Sequence, residues 1–386
     1  MRHAVLAGYA RTPFHFARKG ALIGVRPDDL AATAIKAVVE RSGIDPKAIE
    51  DVLLGCAYPE AEQGNNIARI AVLLSGLPIE VGGMTVNRFC GSSMSAIHIA
   101  AGQIAIGAGE AFICGGVESM TRVPQGGFNF SANPRFKSRE QREAEIMIEA
   151  YISMGETAEN VAAQYGVSRA DQELLAFASQ QKAAAAQAAG KLKDEIVPVI
   201  TPEGEVVDTD GCLRPQTTLE GLAALKPAFR PEGSVTAGTS SPLTDGASAT
   251  LVVAEDFARA NGLDIMARIR SVAVAGVPAE IMGMGPVPAV RKALQRAGLT
   301  VADIDVFEIN EAFGSQAVAC IRELGIPMEK VNIDGGGIAI GHPLGATGAR
   351  ITAKAAQIMR REGKRLAVST QCIGGGQGVA TVLEAI

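Results

Sequence analysis

The chain has 386 residues, more than the roughly 250 to 300 at which one hydrophobic core usually stops growing, so two or more packed domains are expected. Hydrophobic residues make up 47% of the chain, 44 residues are glycine and only 4% are aromatic, which indicates a tightly packed α/β enzyme and excludes disordered and fibrous classes. The net charge of −5 comes from 36 basic and 41 acidic residues mixed along the chain, so no surface for nucleic acid is indicated.

The cysteine spacing argues against both a disulfide framework and a metal site. No CxxC pair or tight His/Cys cluster occurs, so no metal is expected. A strand-like run begins at Val5, and no apolar or charged leader precedes it, so we expect no cleaved leader, no membrane span and a bacterial cytoplasmic location. The six cysteines are Cys56, Cys90, Cys114, Cys212, Cys320 and Cys372.

The first half of the chain alternates between helical and strand-like patterns. Helices are predicted over residues 27–42 and from about residue 66, and strands over residues 51–56 and 84–89. A helix over residues 91–107 carries few polar residues, so it should be buried on most sides, and an interior strand follows over residues 111–115. This alternation is typical of a mostly parallel, buried sheet.

The last third of the chain repeats this order. Residues 305–310 match the pattern of residues 51–56, and Val331-Asn332 matches Val86-Asn87. The second copy then continues with a helix over residues 344–361 and a strand over residues 365–370. A duplicated α/β half-domain is the simplest explanation, and it would bring Cys90, His342 and Cys372 toward one seam.

Between the two copies the strand-helix rhythm lapses. A charged stretch covers residues 136–149, and an Ala/Gln-rich helix begins at a capping-box pattern of Ser168 and Asp171 and ends near Gly190. We therefore predict an N-terminal half over residues 1–117, completed by about residues 243–258, an inserted loop domain over residues 118–242, and a C-terminal half over residues 259–386. Long insertions on a rigid scaffold usually carry ligand contacts.

Cys90 lies between an apolar strand and a helix start, in Asn87-Arg88-Phe89-Cys90-Gly91-Ser92-Ser93. A thiol at a helix N-terminus is exposed to free N–H groups and to the positive end of the helix dipole, which predicts a lowered pKa and a reactive thiolate. Taken alone, this position fits a small buried core residue equally well.

His342 stands in a glycine-rich segment over residues 335–346, where the backbone can approach a ligand closely. Pro343 suits the first turn of the following helix. A lone histidine is more often structural, and the loop could mimic a phosphate cradle, although no GK[ST] follows. His98, within the buried helix, is interpreted as a satisfied core residue.

Two further segments offer polar groups near strand ends. Cys372 is predicted to end the last strand before Ile373-Gly374-Gly375-Gly376-Gln377-Gly378, whose N–H groups could face a reacting oxygen, although a plain glycine turn is the alternative. Asn310-Glu311-Ala312-Phe313 closes a strand of the second copy, and by itself it looks like a helix N-cap at Asn310.

Taken together and in this order, these segments resemble the thiolases over the whole chain. The resemblance implies a duplicated, five-layered α/β/α/β/α thiolase fold with an inserted loop domain. It also implies a homodimer with active sites near the interface, often paired into a homotetramer, and a partner in a β-oxidation multienzyme complex. The matching motifs are Arg11-Thr12-Pro13-Phe14, Cys90-Gly91-Ser92, Gly116-Val117-Glu118-Ser119-Met120, Asn310-Glu311-Ala312-Phe313, Gly341-His342-Pro343 and Cys372-Ile373-Gly374-Gly375-Gly376.

The resemblance also implies roles for single residues. Cys90 would be the nucleophile that takes the acyl group, His342 its base, and Cys372 the acid/base for the α-carbon. His342 and a water positioned by Asn310 would form one oxyanion hole, and the N–H groups of Cys90 and Gly374 the other.

For ligands, the resemblance implies acyl-CoA, with coenzyme A as co-substrate and no permanently bound cofactor. Arg214 and Ser241 would contact coenzyme A. Met154 and Met282 would line the pantetheine and acyl pocket. These four assignments compete with ordinary readings, because arginine is usually a solvated surface residue and methionine usually belongs to the core.

The direction of the reaction is the remaining question. The short-chain biosynthetic branch resembles residues 154–160 but carries His where Ser153 stands, whereas residues 213–220 resemble broad-chain 3-ketoacyl-CoA thiolases of fatty acid β-oxidation. We therefore expect degradative thiolysis, with a biosynthetic acetyl-CoA acetyltransferase as the alternative. Ketoacyl synthases are disfavoured by Cys372, and a non-catalytic thiolase-like lipid carrier is disfavoured by the intact catalytic motifs.

Overall fold

The computed structural model describes residues 2–136 and 149–386. Its strands are β1 Ala4–Arg11, β2 His15–Phe16, β3 Ile49–Gly55, β4 Gly82–Val86, β5 Ala111–Ser119, β6 Val199–Ile200, β7 Val206–Val207, β8 Thr244–Ala254, β9 Ala267–Gly276, β10 Val306–Ile309, β11 Leu366–Ile373 and β12 Gln377–Glu384. Its helices are α1 Pro27–Ser42, α2 Ile67–Leu74, α3 Ser92–Ile106, α4 Met154–Gln164, α5 Arg169–Ala188, α6 Leu219–Ala223, α7 Glu255–Ala260, α8 Pro286–Ala297, α9 Gly314–Leu324, α10 Gly337–Ile340 and α11 Thr347–Arg361.

The main strands run in the order β10-β11-β12-β9-β1-β8-β5-β3-β4, with β2 beside β8. In each half, parallel pairs (β3 with β4 and β5, and β10 with β11) continue into antiparallel pairs. The two halves meet at β1 and β9, which pair only at Val5 with Arg268 and at Leu6 with Ala267. The strands of each half therefore form a sheet of their own, and the two sheets are joined only along this short seam.

Three hydrophobic cores define the layers of the protein. The first core packs α1 and α2 against β1, β3, β5 and β8, and another packs α8 and α9 against β9 to β12. The third contains residues of α3 and α11 between the two sheets, with Leu53 and Phe112 on one side and Val306 and Ala367 on the other. The predicted five-layered α/β/α/β/α fold is confirmed.

Most predicted elements are present, with some corrections. The helix over residues 27–42 is found as predicted, whereas β4 ends at Val86 rather than at residue 89. Cys372 does not end the last strand: it lies within β11, and β12 follows after a tight turn. Val331 forms only an isolated bridge to Phe307, so the second copy has no strand matching β4.

Between β5 and β8 the chain forms α4, α5, α6 and the short pair β6 and β7. The capping box of Ser168 and Asp171 begins α5 as predicted, and Gly190 follows the helix with a φ of 73°, in the left-handed region. Most of the charged stretch over residues 136–149 lies outside the described residues. The division into two halves and an inserted loop domain stays a prediction.

Within the part of the chain that the structure describes, one stretch, Phe89–Ile106, is apolar and long enough to pass a length and composition test for a membrane span. Of this stretch, 56% is buried inside the protein. It includes α3, the middle-layer helix.

Candidate active site

Cys90 lies in the turn that joins β4 to α3, and it lines a cavity of about 560 Å³. The residue before it, Phe89, has a φ of 42°, in the left-handed region that side-chain-bearing residues rarely adopt. Gln371, on β11, donates its side-chain N–H to the Cys90 carbonyl oxygen. The backbone that carries the thiol is therefore fixed from two sides, and the thiol itself is only 9% exposed.

The charge state of Cys90 differs from the sequence prediction. Burial raises the pKa of the Cys90 thiol to about 11, and the N–H groups of Gly374 and of Cys90 itself offset only part of this effect. The prediction of a lowered pKa was therefore wrong, because α3 begins two residues after Cys90 and desolvation outweighs the helix dipole. Cys90 is a neutral thiol at neutral pH, and it needs a base.

His342 is placed by a short turn between α10 and α11. Gly341 has a φ of 109°, which favours glycine, and Thr244 accepts the His342 main-chain N–H at 3.0 Å. The helix that follows begins at Thr347, so Pro343 precedes the helix rather than forming its first turn, and that prediction was wrong. The imidazole is 4% exposed.

The hydrogen bonds around His342 select one tautomer. Nδ1 lies 2.6 Å from the Thr347 hydroxyl, which itself donates to the Pro343 carbonyl oxygen, so Nδ1 carries the proton. Nε2 is then the acceptor. Burial, reinforced by the positive charge of Arg350, lowers the pKa of His342 to about 3. The ring is therefore neutral at neutral pH and can accept a proton at Nε2.

Asn310 is buried at the end of β10, where its Nδ2 lies 3.2 Å from His342 Nε2. It is not a helix N-cap, because α9 begins only at Gly314, with Phe313 in the capping position. Its Oδ1 has no hydrogen-bond partner among the described residues. A buried oxygen without a partner is usually paired with an ordered water, and this fits the water that the sequence prediction assigned to Asn310.

Cys372 lies in a small apolar cluster with Met154, Met282 and Phe313. Burial raises its pKa well above the ordinary value, and a negative charge on the nearby Cys90, once that thiol has lost its proton, raises it further. Cys372 is therefore a protonated thiol close enough to Cys90 to interact with it electrostatically. A thiol in this state can donate its proton to a carbon that develops negative charge next to Cys90.

The turn between β11 and β12 carries Gly374 and Gly375. Both residues line the cavity beside Cys90, and the Gly374 N–H faces the Cys90 sulfur. Two main-chain donors, those of Cys90 and Gly374, therefore converge where an oxygen on an acyl carbon bonded to Cys90 would lie.

The predicted ligand-contact residues are only partly brought together. Met154 lines the cavity and Met282 packs beside Cys372. Arg214 stacks on the Phe16 ring at 5.1 Å, and the Ser241 hydroxyl donates to the Ala312 carbonyl oxygen at 3.0 Å. Neither Arg214 nor Ser241 is among the described residues that line the cavity.

Sequence reasoning gave no role to several residues that organise this site. Thr347 sets the His342 tautomer, Gln371 holds Cys90, and Glu118 contacts the loop that follows His342. The Glu118 motif was visible in the resemblance, but nothing in the sequence shows which loops its carboxylate touches.

In the described ranges, residues 2–136 and 149–386, no group of three or more His, Cys, Asp or Glu side chains is placed to hold a metal ion. The six cysteines are free and buried.

The fold and the site together are typical of a class of acyl-transferring enzymes. Two family models, described as the N-terminal and C-terminal domains of thiolase, match residues 4–256 and 263–385. The chain is 48% identical to proteins named 3-ketoacyl-CoA thiolase from Bacillus subtilis and from Shewanella frigidimarina, and 46% identical to one from Aeromonas hydrophila. Each alignment covers 100% of both chains. The chain belongs to the thiolase family.

The predictions of the thiolase family, of its fold and of an acyltransferase are therefore confirmed. The roles of single site residues stay predictions, and they enter the proposal below.

Proposed function

We propose that this chain catalyses the coenzyme A-dependent cleavage of 3-ketoacyl-CoA to acetyl-CoA and a shortened acyl-CoA, through an acyl group carried on Cys90. The main observation in support is that the buried Cys90 thiol, which lines the cavity, lies beside two converging N–H groups and close enough to the protonated Cys372 thiol for their charges to interact.

In the first step, His342 Nε2 takes the Cys90 proton, and the sulfur attacks the 3-keto carbon. The oxygen on that carbon becomes negatively charged and receives hydrogen bonds from the Cys90 and Gly374 N–H groups. The bond between C2 and C3 then breaks, and its electron pair stays on C2. Cys372 protonates C2, so acetyl-CoA leaves as a neutral molecule and the acyl group remains on Cys90.

The negative charge on the departing acetyl-CoA enolate requires a second set of donors. The protonated His342 and a water bound at Asn310 Oδ1 supply them, since this buried oxygen has no other partner among the described residues.

In the second step, the Cys372 thiolate takes the proton of the incoming coenzyme A thiol. The coenzyme A sulfur attacks the acyl carbon, the bond from that carbon to Cys90 breaks, and His342 returns its proton to Cys90. Every group then recovers its starting protonation state. The same steps run in reverse join two acyl-CoA molecules.

Coenzyme A binding is assigned to Arg214 and Ser241. The Arg214 guanidinium has no carboxylate within ion-pair distance in the described chain, so it is available to an anionic ligand. Ser241 is hydrogen-bonded to Ala312, in the Asn310-Glu311-Ala312-Phe313 motif, which links this contact to the catalytic segment. Met154 would contact the pantetheine arm and Met282 the acyl end near Cys372.

Thiolysis is proposed over acetoacetyl-CoA synthesis for two reasons. Relatives that align over their full length are named 3-ketoacyl-CoA thiolase. Ser153, which caps α4 through its hydroxyl, stands beside the cavity where the biosynthetic branch would carry His.

The test is the coenzyme A-dependent loss of acetoacetyl-CoA and of a medium-chain 3-ketoacyl-CoA, measured side by side with wild-type protein and Cys372→Ala. We expect the wild type to cleave the longer substrate at least as fast, because a cavity of about 560 Å³ exceeds the needs of an acetyl group. Cys372→Ala should lose cleavage of both substrates by about 100-fold or more, as expected when a general acid is removed.

The same variant should lose much less of its acyl exchange between acyl-CoA and free coenzyme A, because that reaction needs no proton transfer to carbon and solvent can take the coenzyme A thiol proton in place of Cys372. Cleavage of acetoacetyl-CoA alone by the wild type would favour the biosynthetic acetyltransferase, and full thiolysis by Cys372→Ala would overturn the role of Cys372.

We propose that the chain forms a homodimer through the edge of its sheet at β4. Among the described strands, its only partner is β3. Several large apolar side chains on and around it are exposed, a pattern that marks a protein contact surface. Light scattering should give about twice the chain mass of 39.9 kDa or a multiple of that pair, whereas a single-chain mass would contradict the proposal. The exposed side chains are Leu73, Leu74, Ile79, Met84 and Phe89.

The bacterial cytoplasm is proposed as the location, supported by the bacterial sources of its relatives and testable by cell fractionation. A partner in a β-oxidation complex stays a prediction from the family resemblance.

A further inference from the structure

Glu118 is a fully buried carboxylate near the end of β5 that the catalytic scheme above does not use. Its Oε2 accepts the main-chain N–H groups of Ala57 at 2.8 Å and of Gly345 at 2.9 Å. Its Oε1 accepts the Gln63 amide at 2.8 Å and the Tyr58 main-chain N–H at 3.2 Å. Four N–H donors from three separate segments therefore converge on one side chain.

These partners belong to both sides of the active site. Gly345 follows three residues after His342, in the turn that fixes the imidazole. Ala57 and Tyr58 line the cavity in front of Cys90. Ala57 also accepts the Asn87 side-chain N–H at 3.1 Å, in the turn that leads to Cys90. Glu118 thus connects the loop that follows His342, in the second half, to residues 57–58 beside Cys90, in the first half.

The negative charge of Glu118 has no cationic partner in the described ranges, where every contact above comes from a neutral donor. Burial accordingly raises the pKa of this carboxyl, and the donors partly offset that effect. A buried carboxylate with no ion pair is costly to keep, so its presence needs a reason other than stability alone.

The loop contact is also enforced by close backbone packing. A β-carbon on Gly116 would overlap the Gly345 carbonyl oxygen, and one on Gly55 would lie 2.7 Å from that oxygen. A β-carbon on Gly345 would lie 2.5 Å from the Val117 carbonyl oxygen. The turn after His342 therefore packs directly against the paired ends of β3 and β5, and Glu118 supplies its hydrogen bond at that point.

We propose that Glu118 is a positioning residue that sets the His342 loop relative to the Cys90 turn across the seam of the two halves. It touches neither substrate nor the reacting atoms. It acts through Gly345 on one side and through Ala57 and Tyr58 on the other, and its loss should affect turnover more than binding. This inference rests on the roles proposed for Cys90 and His342.

The direction in which turnover changes when Glu118 is replaced distinguishes a positioning role from a purely electrostatic one. The charge of Glu118 helps to raise the pKa of the Cys90 thiol, so removing that charge without moving atoms would favour the thiolate and increase its reactivity. A loss of position predicts the opposite for turnover, because a misplacement of about 1 Å can cost about 100-fold in rate.

The experiment is Glu118→Gln in the full chain, assayed for thiolysis. The glutamine has the same shape, but its amide nitrogen cannot accept, so two of the N–H donors lose their acceptor. We expect kcat to fall about 100-fold while KM for each substrate changes less than about threefold. Iodoacetamide labelling of Cys90, read by peptide mass, should be as fast as in the wild type or faster.

The matched control is Asp305→Asn, another carboxylate that accepts two main-chain N–H groups, those of Arg365 and Leu366, at the opposite end of β10 from Asn310. It should keep the wild-type kcat. If Glu118→Gln does not fold, Gln63→Met removes one donor to the same carboxylate, and a severalfold loss in kcat at unchanged KM is expected instead.

Wild-type turnover in folded Glu118→Gln, or in Gln63→Met where that variant replaces it, would overturn the inference, as would a change confined to KM. His342→Asn, assayed in parallel, keeps the two proposals apart. If His342→Asn is inactive and Glu118→Gln is fully active, only the Glu118 inference fails. If His342→Asn is also fully active, the proposed catalytic roles fail with it.

Discussion

Cys90→Ser should lower kcat for thiolysis of a 3-ketoacyl-CoA by about 10⁴-fold or more, the order seen when a covalent nucleophile is removed from an acyl-transfer site. The hydroxyl fits the same space, so the cavity and the Gly374 N–H should remain in place. The reaction is lost because a hydroxyl is far harder to deprotonate than a thiol. Steady-state thiolysis with purified protein, together with a binding assay for acyl-CoA, measures the loss and shows that binding survives.

Cys114→Ser is the matched control for this substitution. Cys114 is also fully buried, but it lies in the middle layer, where its thiol contacts the Ala96 carbonyl oxygen. It should keep near wild-type kcat. Turnover retained by Cys90→Ser would contradict the covalent role, whereas a wild type that binds acyl-CoA without any turnover would favour the lipid carrier.

His342→Asn should lower the thiolysis rate at pH 7 by about 1,000-fold, within the range for a lost general base. The remaining rate should increase with pH. Because burial raises the pKa of Cys90 to about 11, its thiolate fraction grows about tenfold per pH unit between pH 7 and 9. In the wild type, His342 has a pKa lowered to about 3, so its ring stays neutral. Its contribution to the thiolysis rate therefore does not change with pH over that range.

The measurement is the pH profile of kcat for both proteins, with His98→Asn as the control. His98 is half-buried, and desolvation also lowers its pKa to about 3, yet it bonds the Thr381 hydroxyl away from the cavity. Its variant should reproduce the flat wild-type profile. A flat profile for His342→Asn would mean that another group takes the Cys90 proton.

The sequence predicted the scaffold well because its signals are local. The helix over residues 27–42 has apolar residues at helical spacing and Pro at its first turn, and α5 has a capping box, so both helices were predictable from neighbouring residues. The pairing of β1 with β9 was not predictable, because it depends on how two distant halves meet.

The residues of the site could be identified from sequence motifs, but their protonation states and contacts were harder to predict. Cys90, His342, Cys372 and Asn310 were all identified, and the structure places Asn310 against His342 and Cys372 near Cys90. The predicted protonation state of Cys90 was wrong, because a helix start is visible in the sequence whereas desolvation by the surrounding fold is not. Glu118 was missed as a contact for the same reason, because its partners lie 55 to 227 residues away along the chain.

The measurement that tests the central claim most directly is the mass of the protein after brief incubation with a 3-ketoacyl-CoA in the absence of free coenzyme A. We expect wild-type protein to gain the mass of one acyl group, located on the Cys90 peptide and removed when coenzyme A is added, while Cys90→Ser gains nothing. An unmodified wild-type protein that still cleaves the substrate, or an acyl group located on another cysteine, would contradict the proposed acyl-enzyme.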